Sequence, residues 1–430
     1  MTTRGAVAMS RAGAYALAAC LLLSSCAPGG GGADDGGASP RAASLRPSVP
    51  AGAELTRSTR RLADGSPVRV GVIAVSPDAP LRVEAVHGTS LARSETVRAM
   101  AGTAGAWAAV NGSFFDIRSG PAFSGYEGDP LGVYVAEGSL LSEAAGGRTA
   151  LILGGGSARP RIGEVTSSSS LAASDGAHRE LDGINRTPGR ILGCGGVGGD
   201  RLARTGEPMS APAHNQLCVD EDEIVAFTGE WGAATPKGDG TEALLDRDGR
   251  VTALRSPAGG PVPRGGRVLS GTGEGAAWLR AHARPGAHLN VTSEVRDSRG
   301  VQLSGAETSV VGAGPALVRD GRRWINGEAN GLTRAALDRR EPRTAAGVTE
   351  DGTLLLVTFD GRQPGVSVGV SMPEAADIMI ALGAKDAVNL DGGGSTTMVV
   401  DGEVGNRPTD SPGGRQTERA VATAVAVIAE

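Results

Sequence analysis

Residues 371–404 read SMPEAADIMIALGAKDAVNLDGGGSTTMVVDGEV, and the order of elements in this stretch decides the fold. Ser371 and Glu374 form a capping-box pattern, and Pro373 is tolerated in a first helical turn. Met372, Ala375, Ala376, Met379 and Leu382 fall on one face of a helix over 371–383, which Gly383 ends. AKDAVN then reads as a short buried strand, and the pair Asp401-Gly402 favours a tight hairpin after MVV. Between them stand Gly392, Gly393 and Gly394, after an acid and before three hydroxyls. A tight turn needs one or two glycines. The surplus implies that backbone passes close to another group, such as a ligand.

Outward from this stretch the chain is mostly short β runs. They include VRVGVIAV (68–75), LRVEAV (81–86), AWAAVNG (106–112), LGVYVAE (131–137), HLNVTSEV (288–295) and LLLVTFDG (354–361). The 430 residues contain 68 glycines, only 3% aromatics and 40% hydrophobics, enough for one large or two ordinary cores. The expected fold class is α+β. It has a strand-rich mixed-sheet core, few short helices, and an active site on loops at strand ends. Residues 155–285 are rich in Gly, Ser, Ala and Arg and read as a loop-rich or inserted segment.

The N-terminus has the pattern of an export signal. Arg4 and Arg11 precede an apolar run over 12–23, too short to span a bilayer. Leu23-Ser24-Ser25-Cys26 resembles a bacterial lipobox. This predicts a signal peptide over 1–25, lipidation of Cys26 and anchoring to the outer face of the bacterial cell membrane. An ordinary export signal with Cys26 unmodified is the plainer alternative. Residues 26–52 form a Gly/Ala/Ser/Pro linker, and the folded domain spans 53–430. Cys194 and Cys218 then remain. In an oxidising compartment they are candidates for a disulfide closing a loop of about 25 residues, worth ~3 kcal/mol, against two buried free thiols.

Several chemistries are excluded. The net charge is −5 and no basic stripe is present, so no nucleic-acid partner is expected. Neither Lys237 nor Lys385 sits in a phosphate-binding loop. Gly193–Gly198 matches GxGxxG but precedes no helix and reads as a loop. Thr397 replaces the second glycine that a nucleophile elbow at Ser395 needs. The five histidines have no metal-ligand spacing, so no cofactor is expected, although acids and phosphate can share a divalent cation.

What remains is a set of acids, arginines and amides. NGSFFD (111–116), RTAAGV (343–348), LLLVTFDGR (354–362), NLDGGGSTTM (389–398), NRPTD (406–410) and ERAV (418–421) occur in this order. Each has a plainer reading as a turn, a cap or a surface ion pair. Together with GAGPALVRDG (312–321), they resemble the phosphodiester glycosidase family. That family includes the domain of N-acetylglucosamine-1-phosphodiester alpha-N-acetylglucosaminidase and bacterial relatives related to exopolysaccharides. The likeness is dense over 309–428. Two positions depart from the family pattern. Ser113 stands for a second glycine, and Thr423 for an asparagine.

The resemblance implies hydrolysis of the bond between a sugar's anomeric carbon and a phosphodiester oxygen, on a cell-envelope or extracellular glycan. Asp391, Asp360 and Arg343 are the implied catalytic residues. Asn111, Asn389, Gly392, Gly393, Gly394, Ser395, Thr396 and Arg419 are the implied binders of the glycosyl-phosphodiester substrate. A phosphate leaving group needs its charge held more than it needs a proton, which suits arginine. A carboxylate suits the oxocarbenium-like centre. A non-catalytic carbohydrate-binding or polysaccharide-assembly lipoprotein of the same fold is the alternative. A phosphatase-like hydrolase would carry a metal cluster, which the sequence does not show.

Overall fold

The computed structural model describes residues 49–116, 128–146, 148–154 and 159–430. All of these fall in one compact unit, Pro47–Glu430. The expected signal peptide over 1–25 and the expected lipidation site Cys26 lie outside the described residues. Among the described residues the first strand is Ala53–Arg61.

A seven-stranded antiparallel sheet forms the centre. Its strands, in spatial order, are Ala53–Arg61, Pro67–Val75, Leu354–Phe359, Arg343–Thr349, Ala384–Asn389, Ala316–Arg319 and Arg322–Arg323. Side chains alternate between its faces. Leu354 and Leu356 enter a core with Ile73, Val388, Met398 and Val425. Leu355, Val357 and Phe359 enter a second core, with Ala375, Ala376 and Met379 of the helix Met372–Ala381. Both faces are covered, so Leu354–Phe359 reads as an unbroken apolar run. Each large side chain so buried contributes about 1.5–3 kcal/mol.

The helix Met372–Ala381 starts as its sequence dictates. The Ser371 hydroxyl accepts from Glu374 N, and the Glu374 carboxylate accepts from Ser371 N at 2.9 Å. Replacing Ser371 by alanine removes a cap worth about 1 kcal/mol. Gly383, at φ +92°, turns the chain into the strand Ala384–Asn389.

A five-stranded antiparallel sheet packs on the first core. Its order is Glu403–Val404, Met398–Val400, Ala108–Asn111, Thr423–Ala429, Leu81–His87. The helix Val97–Ala104 covers its other face with Val97, Met100 and Ala101.

Within residues 155–285 the described part, 159–285, carries mostly short strands and one helix joined by long connections. Most of the long strand Arg161–Ala173 pairs with Leu289–Asp297, and its start pairs with Thr149–Leu153. Ile224–Phe227, Arg267–Gly271, Thr241–Leu245 and Val251–Arg255 build a sheet with its own core, including Leu171, Ile224, Leu245, Leu269 and Leu279. Its short edge strand Gly183–Ile184 supplies a parallel pair. Three short strands, Ile191–Leu192, Arg201–Leu202 and Leu217–Val219, form a further small sheet. Cys194 and Cys218 are disulfide-bonded there, with Cα atoms 5.2 Å apart. Among the described residues no helix is long and apolar enough to cross a membrane.

Candidate active site

Residues 390–397 carry the chain from the seven-stranded sheet, at Ala384–Asn389, to the five-stranded sheet, at Met398–Val400. A cleft of about 570 Å³ lies at this crossing, lined by Asn389, Asp391, Gly392, Gly393 and Gly394. Arg343, Arg362 and Arg419 line it from other segments.

Each glycine of the turn faces its own arginine. A Cβ added to Gly392 would lie 3.9 Å from Arg343 Cγ. One on Gly393 would lie 3.2 Å from Arg362 Nη2. One on Gly394 would lie 2.5 Å from Arg419 Nη2 and overlap Asp410 Oδ1. Gly393 also has φ +62°, a left-handed conformation that favours glycine. Gly393 and Gly394 therefore let two guanidinium groups close on the turn, while Gly392 packs on Pro342 O and the stem of Arg343. The turn does not offer three backbone donors. Gly392 N donates to Asp391 Oδ1 at 2.8 Å and Gly393 N to Pro342 O at 2.7 Å. Among the described residues only the Gly394 N–H of the three takes no acceptor.

Asp391 is held from both sides by the five-stranded sheet. Its N–H donates to Gly112 O at 3.0 Å, and its carbonyl accepts from Asn111 Nδ2 at 2.7 Å. Burial pushes its carboxyl up to about 6, against the pull of the Ser395 hydroxyl, the Gly392 N–H and Arg419.

Cations outnumber acids in the cleft. Arg148, Arg339, Arg343, Arg362 and Arg419 line it, against Asp391 and Glu341. Arg362 Nε donates to Glu341 Oε2 at 2.7 Å, and Arg419 pairs with Asp410. Arg343 is 7% exposed and, among the described residues, has no carboxylate partner. Its Nε donates to Val370 O at 2.7 Å and its Nη2 to Arg339 O at 2.8 Å. Burial lowers its pKa to about 10, opposed by Glu341, which leaves it protonated at neutral pH. A desolvated, carbonyl-held guanidinium beside a glycine turn is suited to an oxyanion.

The cleft brings together Asp391, Arg343, Arg419, Asn389, Gly392, Gly393 and Gly394. Among the described residues Asn389 Oδ1 is buried without a partner, while its amide donates to Gly314 O at 3.1 Å and Leu390 O at 2.6 Å. Four expected residues lie elsewhere. Asp360 borders a separate cavity of about 400 Å³. Its Oδ1 accepts from Asn406 Nδ2 at 3.1 Å and Arg407 N at 3.0 Å, so it anchors a loop. Burial raises its pKa, opposed by these two donors. Asn111 is fully buried. Its Oδ1 accepts from Thr344 Oγ1 and Thr397 N, which fills both lone pairs, and the residue does not line the cleft. Ser395 and Thr396 are also fully buried and do not line the cleft. Ser395 reaches the site through Asp391 and through Arg419 Nη1, 3.5 Å away.

Arg148, His214, Arg339, Glu341 and Arg362 line the cleft without having been singled out in the sequence. Arg362 ends the motif LLLVTFDGR, and that position was its one signal. His214 stands edge-on to Phe114, with ring centroids 6.2 Å apart. Burial, with Arg148 and Arg339 nearby, lowers the pKa of its imidazole. Among the described residues no cluster of three His, Cys, Asp or Glu is suited to a metal ion.

The Phosphodiester glycosidase family model matches residues 239–428. The crystal structure of a candidate exported protein from Burkholderia pseudomallei is 33% identical, with a TM-score of 0.75 over 85% of this chain and 74% of that one. A hypothetical protein from Synechocystis shares the fold at 21% identity and a TM-score of 0.66, over 88% of this chain and 62% of that one. The bovine N-acetylglucosamine-1-phosphodiester alpha-N-acetylglucosaminidase is 37% identical over 68 residues, 16% of this chain and 12% of the enzyme. The match thus spans a small part of that enzyme's length.

Proposed function

Because the chain belongs to the phosphodiester glycosidase family, we propose that it hydrolyses a sugar-1-phosphodiester. The observation that carries this reading is the placing of Asp391 among Arg343, Arg362 and Arg419 at one glycine turn. A carboxyl with a pKa of about 6 is mostly ionised at neutral pH, and it can stabilise positive charge at the anomeric carbon. Arg343 and Arg419 hold the phosphodiester. The anomeric C–O bond breaks, its electron pair leaves with the phosphate, and water adds to the sugar carbon, passing one proton to the Asp391 carboxylate, which returns it to solvent. The departing phosphomonoester is a weak base and requires no proton donor. This fits a cleft whose other carboxylate, Glu341, is tied to Arg362.

The disulfide Cys194–Cys218 supports an oxidising compartment and so an envelope or extracellular glycan as substrate. A lipid on Cys26, read from the sequence, would hold the enzyme at the membrane surface. Release of free sugar from N-acetylglucosamine-1-phosphodiesters by the purified protein tests the reading. Binding of these diesters without release would favour a carbohydrate-binding or assembly role.

A further inference from the structure

Arg148 lines the cleft from outside the glycine turn. It stands just before the strand Thr149–Leu153, whose sheet does not contain Asp391. The small disulfide-bonded sheet brings Leu192, Gly193 and His214 to the same wall. A Cβ on Gly193 would lie 2.9 Å from Arg148 Nη2, so the glycine keeps room for the guanidinium.

Among the described residues, the Arg148 side chain makes no hydrogen bond and no ion pair. Its Nε is buried without an acceptor. The other arginines at the turn differ. Arg343 reaches two carbonyls, Arg362 reaches Glu341, and Arg419 reaches Asp410. An arginine does not escape burial by losing its proton. Arg148 is half-buried, and a guanidinium whose buried Nε has no protein acceptor favours an anion arriving in the cleft.

We propose that Arg148 binds a second oxyanion of the substrate, apart from the phosphodiester at the glycine turn. The preferred substrate then carries two anionic groups. This rests on the glycosidase reading of the cleft. The cavity is large enough for a sugar and more than one charged group. The second oxyanion is either a phosphate on the aglycone or a carboxylate on the sugar.

Titration calorimetry in an Asp391→Asn background tests this without turnover. Three probes are compared: methyl N-acetylglucosamine-1-phosphate, its glycerol-3-phosphate counterpart, and methyl glucuronic acid-1-phosphate. One of the two dianions is expected to bind about ten- to a hundredfold more tightly than the monoanion. Arg148→Gln should abolish that preference, and Arg148→Lys should keep part of it. Thermal unfolding checks that both variants are folded. Equal affinity for all three probes, no binding of any, or a preference that survives Arg148→Gln would overturn the proposal. Absence of hydrolysis by the parent protein would sink the glycosidase reading and leave these affinities interpretable.

Discussion

Ser113 Oγ lies 2.8 Å from Thr423 Oγ1, and Ser113 N donates to the same Thr423 oxygen at 2.8 Å. These are the two positions at which the sequence departs from its family pattern. The departures are therefore one contact. It sits beside the site, because Gly112 N donates to Thr423 O at 2.8 Å and Gly112 O accepts from Asp391 N at 3.0 Å. The pair steadies the segment that holds Asp391.

Ser113→Gly should destabilise the protein by about 1–3 kcal/mol, since it leaves the buried Thr423 hydroxyl short of a partner. Combined with Thr423→Asn, the cost should differ from the sum of the single changes by about 0.5–3 kcal/mol. Urea unfolding of the four proteins measures this. Additivity within ~0.3 kcal/mol would mean that the two positions are independent.

Gly394→Ala should displace Arg419 and Asp410 from the turn, since its Cβ would collide with both. Both are side-chain ends that can move, so stability should change by no more than about 1 kcal/mol. Steady-state kinetics should show kcat/KM lower by about tenfold to a hundredfold, as a charged contact to the phosphate is lost. Gly402→Ala is the control. It sits in a hairpin at φ +75° with nothing within 4 Å of an added Cβ. It should cost about 1 kcal/mol of stability and leave kcat/KM unchanged.

If Asp391 acts as the carboxylate, kcat/KM should rise with pH through about 6. Stability should run the opposite way. The folded pKa is raised, so between pH 4 and 6 the native state binds more protons than the unfolded chain. Asp391's contribution is present below about pH 4 and lost as pH rises through about 6. Asp391→Asn should flatten that part of the stability profile. An unchanged profile would show that this carboxyl does not titrate there.

Replacing Cys194 and Cys218 together by serine should cost about 3 kcal/mol, the chain-entropy value for a loop closed over a sequence separation of 24. The same change loosens the wall that carries Leu192, Gly193 and His214. KM should rise more than kcat falls, since the glycine turn is built by other strands. A fall in kcat alone would place the wall in the chemical step.

The frame was legible where the sequence carries dense local signals. The capping box at Ser371 and Glu374, the apolar run Leu354–Phe359 and the glycine turn all lie where their patterns imply. The segment 155–285 was not, for a physical reason. In Arg161–Ala173, residues 167–170 are four serines, and the strand gains its stability by pairing along its length with Leu289–Asp297 rather than by an apolar stripe. That Asp360 and Asn111 lie outside the cleft was not legible, for another reason. A motif shows which residues gather, but a buried loop anchor and a cleft residue have the same signature in a single sequence. Only partners distinguish them. Asp360 accepts from Asn406 and Arg407, whereas Arg343 meets carbonyls beside an open cleft.

The most direct measurement is release of N-acetylglucosamine from a 1-phosphodiester by the parent protein, Asp391→Asn and Asp360→Asn. The parent and Asp360→Asn should both release sugar, the latter with lower thermal stability. Asp391→Asn should be slower by roughly a thousandfold, as for loss of a carboxylate that acts in the transition state. Release by Asp391→Asn at the parent's rate would contradict this assignment of the site, and no release by the parent would contradict the proposed reaction itself.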